Sequence, residues 1–151
     1  MASRGFEFAY CLDGSNATPV IRDFVMGETT AYAVGDVVLI QSDGYADKVT
    51  ASVAEVTGIM MESVTPASAG TTSAKVAIVY QNQVWRCSAD ASTATTPLEG
   101  YIKTQDIADQ NTIDADDVTN GSMTVVDATG TDDDGNVLMY VTFSDCTFGN
   151  A

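Results

Sequence analysis

The 151-residue sequence contains no histidine. That absence removes Ser-His-Asp and Cys-His catalytic arrangements, histidine metal sites, and the side chain that most often acts as a general base near neutral pH. Cysteine is scarce: Cys11, Cys87 and Cys146 are odd in number, widely spaced, and include no Cys-x-x-Cys pair. They cannot supply a four-ligand structural zinc site, and reduced, partly buried thiols are expected in place of disulfides. Bases are also few, six against 21 acids, for a net charge of -15 and a pI near 4.1. Such a charge repels nucleic-acid phosphates and anionic membrane surfaces alike, so neither is expected as a partner. No apolar run approaches the ~18 residues of a spanning helix, and Met1 to Glu7 holds no apolar core of signal-peptide length. Synthesis and assembly in a cytoplasm is the expectation. Glycine-rich phosphate loops are missing too, as is any sustained 3.6-residue apolar period.

What the sequence does contain is a series of short β-branched runs punctuated by Gly, Asp, Asn and Ser, which is the signature of strands and hairpins. Ala33 to Ile40 is followed by the turn Ser42-Asp43-Gly44, then by Thr57 to Met61, Ala74 to Tyr80 and Gln83 to Cys87. Thr65 to Ser73 and Asp90 to Pro97 are small and polar enough to be surface loops. Tyr101 to Lys103, Met123 to Val126 and Val137 to Phe143 are further strand candidates, with Asp132-Asp133-Asp134-Gly135-Asn136 turning the chain before the last. The expected fold is mainly β, a small barrel or sandwich. With 45% hydrophobic residues the chain can fill one core, and a chain of this size buries roughly 70% of its unfolded surface.

The first residues break this regularity. Phe6, Phe8 and Tyr10 fall at period two, so an extended segment would place three aromatics on one side. They form either a first strand of the domain's own sheet or an arm that packs on a neighbouring protein. Val20 to Met26 fits a strand or one turn of helix. The division adopted is an N-terminal arm over 1–28 and a β domain over 29–151, with lobes at about 29–92 and 93–151. Charge follows a gradient along it: residues 99–151 carry Lys103 against eleven acids, whereas residues 1–28 are nearly balanced. The last third is expected to be the most solvated, and the first third the better docking region.

Two strands are apolar on both faces. Val76, Ile78 and Tyr80 alternate with Ala77 and Val79, and Val137, Met139, Val141 and Phe143 alternate with Leu138 and Tyr140. A sheet with one wet face alternates apolar with polar, so something must cover the second face: the chain itself, an identical subunit or a larger scaffold. Carboxylates are the only abundant chemical groups. The Asp132 to Asn136 run superficially suggests calcium, but its glycine comes at the fourth position and no Glu follows, so a solvated turn is expected and no metal or cofactor is assigned. Asp114, Asp116 and Asp117 with Asn120-Gly121 read the same way. Trp85 lies in an alternating run, where a core position is expected over a sugar platform.

The order Gly-Asp-Val-Val (35–38), Ser-Asp-Gly (42–44), Gly-Ile-Met-Met-Glu (58–62), Val-Ala-Ile-Val (76–79) and Gln-Val-Trp-Arg (83–86) resembles that of the β-barrel decoration, or cement, proteins of tailed-phage heads. Gly100-Tyr101, Asp116 to Gly121, Met123 to Val126 and Val137 to Phe143 continue it, although the N-terminal residues have no counterpart and the strong acidity of the last third departs from the family. The resemblance implies a non-catalytic structural subunit of the virion, commonly a homotrimer. It would bind the major capsid protein on the outer capsid surface between capsomers and stabilise the expanded head. Under that reading Arg4, Phe6, Phe8, Tyr10 and Arg22 are the expected capsid contacts. The alternative is a carbohydrate-binding or adhesion β module displayed on a virion or cell surface, using Trp85, Tyr45 or Tyr101.

Overall fold

β-Branched and aromatic residues suit a pleated, half-buried surface, and the runs they form here pair as antiparallel strands. The computed structural model describes residues 5–50, 55–90, 107–114, 121–128 and 130–148. Among these there is no helix, and so none long and apolar enough to cross a membrane. One sheet consists of β1 (Glu7–Cys11), β7 (Gln83–Ser88), β11 (Leu138–Phe143) and β10 (Met123–Asp127), adjacent in that order. A second places β2 (Ile21–Val25), β6 (Ser73–Ile78), β5 (Gly58–Met60), β3 (Val37–Ile40) and β4 (Ala46–Lys48) side by side. A short hairpin joins β8 (Ile107–Asp109) to β9 (Thr112–Ile113).

The main core lies where the two larger sheets face each other. Val37, Ile59 and Ala77 from the five-stranded sheet, with Val79 just past β6, meet Trp85, Cys87, Met139, Val141 and Phe143 from the four-stranded one. The mainly β expectation holds, as two open-edged sheets without a closed barrel. The nearest approach to closure is a single parallel bridge between Met26, just past β2, and Ala46 at the start of β4.

The opposite face of the five-stranded sheet is covered by the chain itself. Val38, Met60, Ala74 and Val76 pack under Met26 and Tyr32, with Val64 and Phe24 at the margin. Tyr32 is pinned there by donating its hydroxyl to the Ala46 carbonyl at 2.7 Å and accepting the Glu28 N–H at 3.0 Å. This explains the doubly apolar pattern of β6 without a second subunit.

The N-terminal residues are not an independent arm. β1 pairs with β7, and β2 pairs with β6 over five residues from Ile21↔Ala77 to Val25↔Ser73. Both are edge strands of the sheets that build the core, so residue 28 marks no domain boundary. The lobe division fails for a similar reason: β7 belongs to the first proposed lobe and β11 to the second, yet they are hydrogen-bonded neighbours.

Entry into β1 depends on a close backbone crossing. Gly35 has φ +95°, and a β-carbon there would meet the Gly5 Cα at 3.1 Å, while the Phe6 N–H donates to the Gly35 carbonyl at 2.9 Å. Only glycine tolerates both the conformation and the approach. The Asp43-Gly44 turn forms as its sequence predicts, with Gly44 at φ +86° and the Asp43 carboxylate accepting the Tyr45 N–H at 2.9 Å.

Candidate interaction surface

The three aromatics at period two do not share a face. Phe6 is 2% exposed and its ring lies 5.5 Å from Phe143 in the main core. Phe8 is half-buried and stands edge-on to Trp85 at 5.6 Å. Between Phe8 and Tyr10 the register slips: Phe8 lies opposite Trp85 and Tyr10 opposite Val84, two residues of β1 against one of β7. That bulge reverses the alternation, so Tyr10 points outward with 44% of its surface exposed. Phe6 and Phe8 are therefore committed to the fold and are withdrawn as partner contacts. Tyr10 and Arg22 remain on the surface, and Arg4 lies outside the described residues.

Three neighbours that the sequence did not single out join Tyr10. Leu12, Val20 and Ile21 are each about half exposed. Leu12 donates its N–H to the Asn82 carbonyl at 2.7 Å, and the Val20 carbonyl accepts the Ile78 N–H at 2.8 Å, so both ends of the connection from β1 to β2 flank the 79–82 turn. Within that connection the Gly14 N–H returns to the Cys11 carbonyl, and the Asp13 carboxylate accepts the Ser15 N–H. Those bonds from Ser15 hold the Asp13 carboxyl below its ordinary pKa. Residues 15–18 then lie beside Phe8 to Tyr10 and enclose a shallow groove of about 220 Å³. An apolar residue on either side of a Gly- and Pro-containing connection was the available signal, since such residues have no strand position facing the core.

A larger groove, about 460 Å³, opens at the far end of β2, where the chain meets β4. Leu39 and Val49 supply apolar lining, and Gln41, Thr50, Glu28 and Asp47 supply polar groups. Glu28 braces the local chain by accepting the Lys48 N–H and the Thr30 hydroxyl. The Asp47 Oδ1 has no hydrogen-bond partner among the described residues and is closed off from solvent beside Gly27, where a β-carbon would approach it to 2.1 Å. Burial, followed by the charges of Glu28 and Asp43, raises the Asp47 pKa.

The remaining chemical groups serve the fold. Trp85 is 1% exposed and donates Nε1–H to the Gln83 side chain at 3.2 Å, which removes it as a sugar platform. Tyr45 is half-buried against Gly70, and Tyr101 lies outside the described residues. All three cysteines are buried free thiols. Burial drives the Cys87 pKa far up and, with help from Asp145 and Glu55, that of Cys146 to about 12.

Asp132 closes its turn by accepting the Asp134 and Asn136 N–H groups at 2.9 Å each, and a hydrogen bond from Ser88 is the main cause of its lowered pKa. Among the described residues no group of three or more Cys, Asp and Glu side chains is placed to hold a metal ion. The Asp114 to Gly121 stretch lies largely outside them. No protein family, curated protein or solved structure matches this chain.

Proposed function

We propose that the chain is a structural protein of a tailed-phage virion, one that binds the outer capsid surface and stabilises the expanded head. The observation that carries this reading is the exposure of four apolar side chains, Tyr10, Leu12, Val20 and Ile21, on and next to two edge strands. Next to them stands Arg22, exposed and with no carboxylate partner among the described residues. A group of this kind suits burial against another protein, and edge strands offer unpaired backbone groups beside it. The sequence resemblance to phage decoration proteins supplies the identity of that partner, the major capsid protein, and the homotrimeric assembly.

The net charge of -15 supports the same reading. Mutual repulsion keeps a densely decorated particle from aggregating, while the nearly neutral first 28 residues carry the exposed apolar side chains that would dock. Mixing the full chain with expanded, undecorated capsids and sedimenting the particles tests the proposal. The native protein is expected to co-sediment, and the double change Leu12→Ser and Ile21→Ser to leave a folded protein in the supernatant. Native protein that stays in the supernatant overturns the function, and equal binding by the double variant overturns the surface.

A further inference from the structure

We infer that the free edge of β2 receives an extended segment of a partner protein as an added antiparallel strand. That strand sets an acidic side chain opposite Arg22 and apolar ones opposite Ile21, Phe24 and Val25. The inference rests on this region being a docking surface for protein, and it holds whichever protein supplies the strand.

The edge itself comes first. β2 meets β6 in unbroken register, with the Ile78 N–H donating to the Val20 carbonyl and the Met26 N–H to the Thr72 carbonyl, each at 2.8 Å. Antiparallel ladders alternate, so Val20, Arg22, Phe24 and Met26 turn their backbone groups towards β6, and Ile21, Asp23 and Val25 turn theirs outward. Among the described residues no second strand pairs with β2. The other edges of the two large sheets are blunted. β1 and β10 each carry a bulge, and β4 is three residues long with its Ala46 carbonyl already accepting the Gly27 N–H. Such devices prevent unplanned pairing, and β2 lacks them.

A second copy of the chain does not fit this edge. Paired with itself about a two-fold axis at Asp23 or at Arg22, β2 sets like charges directly opposite each other. Centring on Ile21 brings Pro19, which has no N–H, opposite Asp23. Centring on Phe24 needs the Gly27 N–H, which is committed to Ala46. A different chain is free of these conflicts.

The side chains define its chemistry. Arg22 and Phe24 share one face of β2, where Phe24 sits at the margin of the Met26 and Tyr32 cluster and Arg22 has no carboxylate partner among the described residues. Opposite an added strand Arg22 falls in a non-hydrogen-bonded pair, the closer kind, so an acid there meets the guanidinium directly. On the other face Asp23 is already matched by Lys75 at 3.3 Å, which leaves the exposed Ile21 and half-buried Val25 to apolar partners.

The test is a titration of the full chain with the blocked peptide Ser-Val-Val-Thr-Glu-Val-Ser, whose second to sixth residues run opposite Val25 to Ile21, followed by amide hydrogen exchange. In the free chain Arg22 and Phe24 are expected to exchange slowly and Ile21, Asp23 and Val25 quickly; saturating peptide is expected to slow the latter three. The same peptide N-methylated opposite Asp23 and Ile21 is expected not to bind, and one with Gln for Glu to bind about two- to fivefold more weakly. Arg22→Gln, at an exposed side chain, is expected to keep the native melting temperature and to bind the Glu and Gln peptides alike. Slow exchange of Ile21 and Asp23 in the free chain, absence of saturable binding, equal binding by the N-methylated peptide, or an undiminished preference for Glu in Arg22→Gln would each overturn the proposal. Capsid co-sedimentation is read separately, so either result can fail while the other stands.

Discussion

Phe6→Ala should be among the most damaging single changes in the first 20 residues, and Tyr10→Ala among the mildest. Both residues lie in the same alternating aromatic run, and their fates diverge only because of the bulge between Phe8 and Tyr10. Phe6 is 2% exposed against Phe143. Truncating a buried phenylalanine costs about 3–5 kcal/mol from lost transfer energy and the cavity left behind. The Phe143 contact lies within that range, since an aromatic pair contributes only ~0.5–1.5 kcal/mol beyond its area. For a chain of this size a loss of 3–5 kcal/mol lowers the melting temperature by roughly 6–20 °C. Tyr10 is 44% exposed, and its removal forfeits part of a cross-strand contact to Val84, below ~1 kcal/mol.

Urea unfolding followed by fluorescence measures both changes, because Trp85 is the sole tryptophan and Phe8 stands edge-on to it. Equal m-values across native protein and variants would establish that the same surface is exposed on unfolding. If Phe6→Ala unfolds within about 1 kcal/mol of the native protein, or Tyr10→Ala proves the more costly, β1 is not part of the core and its placement is wrong. Deleting residues 2–18 removes β1 whole and is expected to give an insoluble or unfolded chain, as a strand of the domain's own sheet requires.

Asp36 is 2% exposed, accepts the Ala33 N–H at 2.9 Å, and has its pKa raised chiefly by burial. A folded-state pKa above the unfolded one contributes stability that is fully present below the unfolded pKa and lost as pH rises through the folded value. Asp36→Asn should therefore melt above the native protein at pH 7, with the gap closing by pH 3; a gap that widens on acidification refutes this sign. At pH 8 under native conditions the three thiols should react with a disulfide reagent much more slowly than in urea, and rapid labelling of Cys87 or Cys146 in the folded protein would contradict their burial. Asp132→Ala leaves the Asp134 and Asn136 N–H groups without their acceptor and should lower the calorimetric melting temperature, whereas Asp133→Ala should leave it nearly unchanged.

The strands of the central stretch were legible because local chemistry determines them. Asp43-Gly44 specifies its own hairpin, and β6 and β7 fall where Ala74 to Tyr80 and Gln83 to Cys87 predict. Pairing was not legible in the same way. Nothing near Phe6 announces that its partner strand lies some eighty residues later, or that Gly35 supplies the crossing that lets β1 in. The bulge after Phe8 depends on a register with β7, so no reading of β1 alone could show that Tyr10 turns outward. The doubly apolar strands were recognised, but which element covers them is a tertiary matter, decided for β6 by Tyr32 and Met26.

The interleaving of first and last strands in one sheet bears on how the chain survives its own synthesis. β1 rests on β7, and β7 on β11, which ends at Phe143. Translation at about 5–20 residues per second separates the emergence of β1 from that of β11 by roughly 7–26 s. Throughout that interval Phe6, Phe8 and Trp85 lack the strand that completes their side of the core. Neighbouring nascent chains on one message would present the same unsatisfied edges to one another, an invitation to mispairing. The acids of the last third, which reach the solvent as this window closes, give each newly completed chain the charge that keeps it apart from the next.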